Sequence, residues 1–261
     1  MGTVLDRIVA AHRRAAAADL RDVDALLTET ERCGPPRLFA DALRGVGISV
    51  IAEIKRRSPS KGNLAEDLDP DAVARAYEAG GASCLSVLTD NEFFGGSPDD
   101  LRAARAACGL PVLRKDFTVD ERDVIDARLM GADAVLLIVA ALDDDELGRF
   151  LALARSLRLA ALVEVHDSDE LERALGAGAD IVGVNQRDLH TFEVDRQRAD
   201  EMAAAIPSDV ISVAESGIAN AADVARLTDA GYDAILVGEL LVTAADRAGA
   251  IRSLIGRVDA G

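Results

Sequence analysis

Val50-Ile51-Ala52-Glu53-Ile54-Lys55-Arg56-Arg57-Ser58-Pro59-Ser60-Lys61-Gly62 begins as a buried strand and ends as something else. Val50, Ile51 and Ile54 suit a sheet covered by helices. Glu53 and Lys55 are two residues apart and point to the same side. Arg57, Ser58, Pro59 and Gly62 close the segment in a polar loop. Opposite charges on one face at the end of a buried strand fit two readings: a structural ion pair, which ordinary cores also hold, or a site at the carboxyl end of a strand. Lysine placement sharpens the second. Of 29 Lys plus Arg, only Lys55, Lys61 and Lys115 are lysine, and they fall in two strand-end segments. Arg keeps its proton near neutral pH, whereas Lys releases one when its surroundings lower its pKa.

Downstream of this stretch, apolar strands alternate with amphipathic helices. Strands are expected at 49–55, 84–89, 111–115, 134–139, 160–165, 181–185, 210–214 and 234–238, and helices at 70–80, 98–108, 120–130, 143–157, 168–177, 195–205, 220–230 and 244–255. Asp69-Pro70, Ser97-Pro98, Asp120, Asp143, Ser168 and Asn220 are helix-start signals. Gly80-Gly81-Ala82-Ser83, Gly131-Ala132-Asp133, Gly178-Ala179-Asp180 and Gly231-Tyr232-Asp233 are stops that lead straight into the next strand, with Gly taking the left-handed turn. The stop returns about every fifty residues, which hints at an internal repeat. Eight βα units predict an α/β protein of the closed (β/α)8, or TIM-barrel, class. An open doubly wound sheet is the alternative, but it often carries G-x-G-x-x-G after its first strand, and none is present.

Upstream, Thr3-Val4-Leu5-Asp6 reads as a capping box with Asp in place of Glu or Gln. Leu5, Ile8 and Val9 begin an amphipathic helix that runs to about Leu20. A polar stretch follows, Cys33-Gly34-Pro35-Pro36 interrupts, and a short helix is expected from Arg37 to Leu43, ended by Gly45. Residues 1–48 are therefore expected to form a helical extension before a catalytic barrel at 49–257, the two making one domain.

The chain has 261 residues, 49% of them hydrophobic but only 3% aromatic, so aliphatic side chains must fill its core. A formal charge of −17 argues against nucleic acid or an anionic membrane as partner. Cys33, Cys84 and Cys108 are too few and scattered for a disulfide framework, which fits a reducing cytoplasm. The charges within residues 1–20 exclude a signal-peptide core, and no uncharged run approaches a membrane span. There is no G-x-x-x-x-G-K-[ST] loop, H-E-x-x-H or G-x-S-x-G. With three histidines, none paired at ligand spacing, no metal site is expected.

Polar residues finish most of the strands. Asp90-Asn91-Glu92-Phe93-Phe94-Gly95-Gly96-Ser97 follows the second, and two adjacent phenylalanines in a loop read either as a ligand surface or with one ring packed beneath. The third ends Leu113-Arg114-Lys115-Asp116-Phe117. The fourth ends apolar and supplies a wall. In the fifth, Glu164 stands in an apolar strand, where burial is expected to raise its pKa; His166 falls in the loop beyond and reads as structural. Asn185 and Arg187 share one face and suit a carboxylate or hydroxyls. Small residues at Ser216-Gly217 and Gly238 let backbone N–H groups approach a phosphate, with a helix N-terminus favouring the anion; ordinary tight turns are the plainer reading. Glu239 is expected to act through its N–H. Two lysines, two carboxylates, an Asn/Arg clamp and a phosphate cradle suit acid–base chemistry on a small phosphorylated substrate without a metal.

Ile51-Ala-Glu-Ile-Lys-Arg-Arg-Ser-Pro-Ser-Lys-Gly62, Leu113-Arg-Lys-Asp-Phe117, Leu162-Val-Glu-Val-His166, Gly183-Val-Asn-Gln-Arg-Asp-Leu189, Ala214-Glu-Ser-Gly-Ile218 and Val237-Gly-Glu239 resemble the indole-3-glycerol phosphate synthase family, in order, over about residues 3 to 255. The resemblance implies closure of 1-(2-carboxyphenylamino)-1-deoxyribulose 5-phosphate to indole-3-glycerol phosphate, CO2 and water, without a cofactor, in tryptophan biosynthesis. It implies that Lys115 is the general acid on the substrate carbonyl and Glu164 the acid/base of the later proton transfers and dehydration. Lys55 engages the substrate carboxylate and shares proton transfer, the two lysine roles not being cleanly separable. Glu53 and Asn185 orient hydroxyls and lysines, and Arg187 contacts the carboxylate side. Ser58, Ser216, Gly217, Gly238 and Glu239 lie where the family binds phosphate; Phe94, Phe117, Leu136 and Leu189 line the aromatic-ring pocket.

The chemistry is consistent with that. Ring closure breaks aromaticity and builds negative charge on the ketone oxygen, which a proton-donating cation stabilises. Gln186 and Leu240-Leu241 depart from the expected small residues without removing a catalytic group. No second domain for a fused isomerase or amidotransferase is read. The expected partner is the small phosphorylated substrate alone, in a monomer or weak homo-oligomer. The rival readings are a Schiff-base aldolase with Lys115 as nucleophile and a non-catalytic phosphosugar-binding barrel.

Overall fold

Strands buried on both faces need a covering layer of helices, and parallel ones need a crossover to return each to the same end. A computed structural model of the chain, describing residues 3–59, 61–188 and 193–256, meets both needs by closing the sheet. Among the described residues the barrel consists of eight parallel strands: β1 (Ser49–Ile54), β4 (Cys84–Leu88), β5 (Val112–Lys115), β6 (Ala134–Ile138), β7 (Ala160–Val165), β8 (Ile181–Asn185), β9 (Ile211–Glu215) and β10 (Ala234–Val237). Pairing of β1 with β10, Ala52 opposite Val237, closes the ring. The crossovers carry α4 (Pro70–Gly80), α5 (Pro98–Ala107), α6 (Glu121–Met130), α7 (Asp144–Ser156), α8 (Ser168–Gly176), α9 (Gln197–Ala203) and α10 (Ala221–Asp229); α11 (Glu239–Val242) and α12 (Arg247–Leu254) follow the last strand. The TIM-barrel reading holds.

Side-chain alternation sorts two cores. Val50, Ala52, Ile54, Val163, Val165, Val182 and Val184 face outward against the helices. Ile51, Leu113, Leu136, Leu162, Val213 and Leu236 face the barrel axis. By the same parity, the next inward positions toward the carboxyl end are Glu53, Lys115, Glu164 and Glu215.

Before the barrel come α1 (Val4–Ala18), α2 (Val23–Thr30) and α3 (Phe39–Leu43). Thr3 and Asp6 form the expected capping box. The polar stretch contains α2, because Asp22 caps it and one buried apolar residue, Leu26, is enough to dock it on α6. Pro36 does not start α3; the helix begins at Phe39, and Phe39 and Leu43 plug the amino end of the barrel. The cap of α8 is Asp167, not Ser168, since the Asp167 carboxylate accepts the Glu170 N–H at 2.8 Å. A hairpin, β2 (Arg57–Ser58) with β3 (Gly62–Asn63), follows β1 and was not expected from the sequence, nor was α11.

The Gly-x-Asp stops have a physical basis. Gly131 and Gly231 adopt φ of 89° and 98°. The Asp two residues later then caps the neighbouring strand: Asp133 accepts the Val112 N–H at 2.9 Å, and Asp233 the Ser212 N–H at 2.8 Å. Asp133 also accepts from the Arg37 N–H at 2.7 Å and the Arg105 guanidinium at 2.9 Å, which ties the extension to the barrel floor. Replacing Asp133 with Ala is expected to lower stability by about 3 kcal/mol, because two backbone amides, one of them buried, and a cation lose their acceptor. A urea midpoint matching the parent's would contradict this role.

Candidate active site

Near the ends of β1, β5, β7, β8 and β9, the side chains of Glu53, Lys115, Glu164, Asn185 and Glu215 point into a cavity of about 500 Å³ at the carboxyl face, a size ordinary for a small-molecule site; β4, β6 and β10 line it with apolar side chains. Lys115 Nζ donates to Glu164 Oε2 at 2.7 Å and to Glu215 Oε2 at 2.8 Å. Lys55 Nζ pairs closely with Glu53 Oε1. Asn185 Nδ2 donates to Glu164 Oε1 at 3.0 Å, and Asn185 Oδ1 accepts the Arg187 N–H at 3.0 Å. Missing Cβ atoms make room. A methyl on Gly183 would collide with Glu215 Oε1, and one on Gly238 with Glu53 Oε1.

The electrostatics correct two expectations. Burial alone would pull Lys115 down, but Glu164, Glu215 and Glu53 outweigh it and raise its pKa, so the resting side chain is a firmly held ammonium. Burial alone would raise Glu164, as anticipated, yet Lys115 and His166 override it and lower the pKa. The raised carboxyl is Glu215, pushed up to about 7 by burial and by repulsion from Glu164 and Glu53 against the pull of Lys115. Its Oε1 is buried without a hydrogen-bond partner, which is tolerable when the group carries a proton.

These shifts set the pH dependence. Folded Glu215 holds its proton above the ordinary 4.5, so this group makes the fold less stable as pH rises from there through about 7. His166 is raised from 6.5 to about 9; its contribution is complete below 6.5 and is lost as pH rises through about 9.

Glu53, Lys55, Ser58, Phe94, Lys115, Phe117, Leu136, Glu164, Asn185, Arg187, Ser216, Gly217, Gly238 and Glu239 all line this one cavity. Leu189 lies outside the described residues. Ser216 and Gly217 turn successively through left-handed φ of 65° and 72°. Gly238 precedes α11, and the Glu239 carboxylate reaches toward Lys61 Nζ at 3.6 Å. Buried Gln186 braces this loop: its Nε2 donates to the Ser216 carbonyl at 2.7 Å, and Arg226 donates to its Oε1 at 3.2 Å. Phe94 and Phe117 stand 6.2 Å apart by ring centroid, while Phe93 lines a shallow groove beside Ala10 and Ala11 of α1.

The sequence reading assigned no role to Glu215, nor to Leu5 and Ile8 of α1, which help line the cavity. Alternation of Ile211, Val213 and Glu215 was the available signal, the same one that identified Glu164. Ending the strand at 214 put Glu215 in the loop. His12 of α1 pins the extension to the rim, with Nε2 3.0 Å from Asp90 Oδ2 and 3.9 Å from Asp116 Oδ1. This trio has the donor types of a metal site, but its carboxylates are already engaged. Asp90 Oδ1 accepts the Phe93 and Phe94 N–H groups, and Asp116 accepts from Phe117 N, Thr89 and Arg114. It is a strut that holds the aromatic wall.

Gly183→Ala is expected to push Glu215 off Lys115, cutting kcat about tenfold and destabilising the fold by about 1–3 kcal/mol through overpacking. Steady-state kinetics and a thermal melt check both; unchanged values in each would show that the site does not need the space.

A family model described as indole-3-glycerol phosphate synthase matches residues 5–254. Curated relatives include indole-3-glycerol phosphate synthase 2 of Streptomyces coelicolor, 53% identical over 89% of this chain and 91% of that one. The indole-3-glycerol phosphate synthase of Nocardioides sp. is 51% identical over 97% and 98%, and that of Roseiflexus castenholzii 49% over 99% and 100%. Among solved structures, a thiamine phosphate pyrophosphorylase from Pyrococcus furiosus has a TM-score of 0.58 at 18% identity, covering 81% of this chain and 95% of that one, a likeness of fold alone.

Proposed function

The chain belongs to the indole-3-glycerol phosphate synthase family, and from that membership and the cavity's geometry we propose how its residues divide the work. The activity is that of a carboxy-lyase of tryptophan biosynthesis: 1-(2-carboxyphenylamino)-1-deoxyribulose 5-phosphate closes to indole-3-glycerol phosphate with loss of CO2 and water. Carbon dioxide and water together account for the whole difference between substrate and product. No net oxidation occurs, so the reaction calls for no redox cofactor.

Backbone N–H groups around Ser216, Gly217, Gly238 and Glu239, with Ser58, hold the phosphate. Phe94, Phe117 and Leu136 enclose the aromatic ring, while Lys55 and Arg187 hold its carboxylate. Fixing both ends of the substrate folds the ring carbon onto the ketone. Lys115 protonates the ketone oxygen as the carbon–carbon bond forms. Electrons from the departing carboxylate restore the aromatic ring as CO2 leaves. Glu164 then protonates the new hydroxyl, water departs, and the adjacent CH2 gives up a proton to the site. Glu53 and Asn185 orient the two reactive groups, and Glu215 shares the Lys115 ammonium.

The observation that carries this reading is the Lys115 ammonium fixed between Glu164 and Glu215 at the inner end of the cavity. A cation held there is suited to charge that develops only in the transition state. The same clamp argues against a Schiff-base aldolase, whose lysine must be neutral to attack. A non-catalytic barrel has no need of these charges, since buried ions without function are costly.

We further propose a cytoplasmic monomer or weak homo-oligomer in which segments 1–48 and 49–257 act as one unit. In support, Leu5 and Ile8 help line the cavity, no described helix is long and apolar enough to cross a membrane, and the exposed large apolar residues Leu20, Leu38, Val46 and Val194 are scattered. The test of activity is direct. Pure protein mixed with the substrate in chelating buffer should develop indole fluorescence with one CO2 per product; fluorescence that never rises would end the reading.

A further inference from the structure

His166 has a position that the scheme above does not use. It follows Glu164 by two residues, and its ring lies between two carboxylates. Nδ1 is 3.0 Å from Glu170 Oε2 on α8, which also accepts the His166 backbone N–H at 2.8 Å. Nε2 is 3.4 Å from Glu164 Oε1, inside ion-pair range but not aligned as a hydrogen bond, and it is buried with no other partner. Burial increases inward: the side chains of Glu170, His166 and Glu164 are 16%, 11% and 3% exposed. The charged groups facing the ring are Glu164 from its own strand and Glu170 from α8, with Lys115 and Glu215 behind Glu164.

The reaction creates a need at this point. The substrate's ionised carboxylate leaves as neutral CO2. Lys115 gives one proton to the ketone oxygen, Glu164 gives one to the departing hydroxyl, and the CH2 returns one. Each turnover therefore draws one proton from solvent into the site. Glu164 must donate although the resting site holds it ionised, so its proton has to arrive from an adjacent group.

Resting on the functional reading above, we infer that His166 hands Glu164 the proton that each turnover takes from solvent. The Nε2–H bond breaks and an Oε1–H bond forms, leaving the electron pair on Nε2 and a neutral ring held through Nδ1–H by Glu170. Solvent returns the proton to Nε2 between turnovers. Burial lowers the affinity of the ring for its proton, but Glu164 and Glu170 outweigh it and raise the pKa to about 9, so the store is loaded at neutral pH. His166 acts through Glu164 and does not itself touch the substrate.

The test compares His166→Gln, which keeps a polar side chain but carries no exchangeable charge, with His166→Ala, which leaves space for added imidazole. Circular dichroism and a thermal melt first establish that both are folded. We expect kcat to fall about tenfold or more with KM little changed. The parent's kcat should decline as pH passes about 9, and that limb should be absent from His166→Gln. Imidazole in the buffer should restore part of the His166→Ala rate. A His166→Gln protein with the parent's kcat and alkaline limb overturns the inference. So does a loss of rate that leaves the pH profile unchanged and is not rescued by imidazole, because the ring would then serve packing alone. A parent chain that makes no indole product removes the functional reading itself, an outcome distinct from failure at His166.

Discussion

Lys115→Ala is expected to lower kcat by about a thousandfold or more, within the range for loss of a general acid placed where charge develops. The ammonium accepts nothing and donates to two carboxylates, so its removal takes away the proton for the ketone oxygen and leaves Glu164 and Glu215 facing each other. Those two respond by sharing protons, and the variant should therefore be more stable at pH 5 than at pH 8, relative to the parent. The proposed phosphate anchor lies on other strand ends, so binding of an unreactive phosphate analogue should survive. Lys115→Arg should be as inactive as the Ala variant although it keeps the charge, because a guanidinium does not give up its proton. Stopped-flow fluorescence and analogue titration measure the two properties separately. Parent-like turnover in either variant would remove Lys115 from the proton-donor role.

Glu164→Gln is expected to cost about a hundredfold or more in indole formation, and at a different step. Gln retains hydrogen-bonding capacity toward Asn185 and Lys115 but carries no proton to the leaving hydroxyl. Closure and decarboxylation precede that step. Rapid-quench analysis should therefore find CO2 released in the first turnover ahead of indole fluorescence, with a decarboxylated, still hydroxylated intermediate accumulating. Loss of CO2 and indole in parallel would place the role of Glu164 before decarboxylation. The substitution also removes a negative neighbour of Glu215, whose pKa should drop from about 7 toward the ordinary carboxylate range. That shift is measurable by following the carboxyl resonances through a pH titration.

The strand ends were legible because the barrel enforces a simple rule. Every strand is covered on both sides, so a charged residue with inward parity has nowhere to go except the cavity. Glu53, Lys115 and Glu164 follow directly from that rule. Glu215 obeys it equally and was missed by one residue of strand length, a boundary that hydrophobicity does not mark. The short helix α2 was missed because a single buried leucine and an aspartate cap hold it, too little for a periodic pattern. The protonation states were the least legible. Sequence shows that Glu164 sits among apolar neighbours, but not that Lys115 arrives from 49 residues away at 2.7 Å or that His166 turns back toward it. Desolvation can be guessed from local composition, whereas the sign of a pKa shift depends on partners that only the closed ring brings together.

The central claim is that one molecule, anchored by its phosphate, spans the cavity with its ketone oxygen at Lys115. Crystals of the Lys115→Ala protein soaked with unreacted substrate test it most directly. The account predicts phosphate density against the backbone at Ser216, Gly217, Gly238 and Glu239, the aromatic ring between Phe94 and Phe117, and the ketone oxygen in the space left by the lysine side chain. Density with the phosphate at another rim, or with the ketone turned away from position 115, would contradict it.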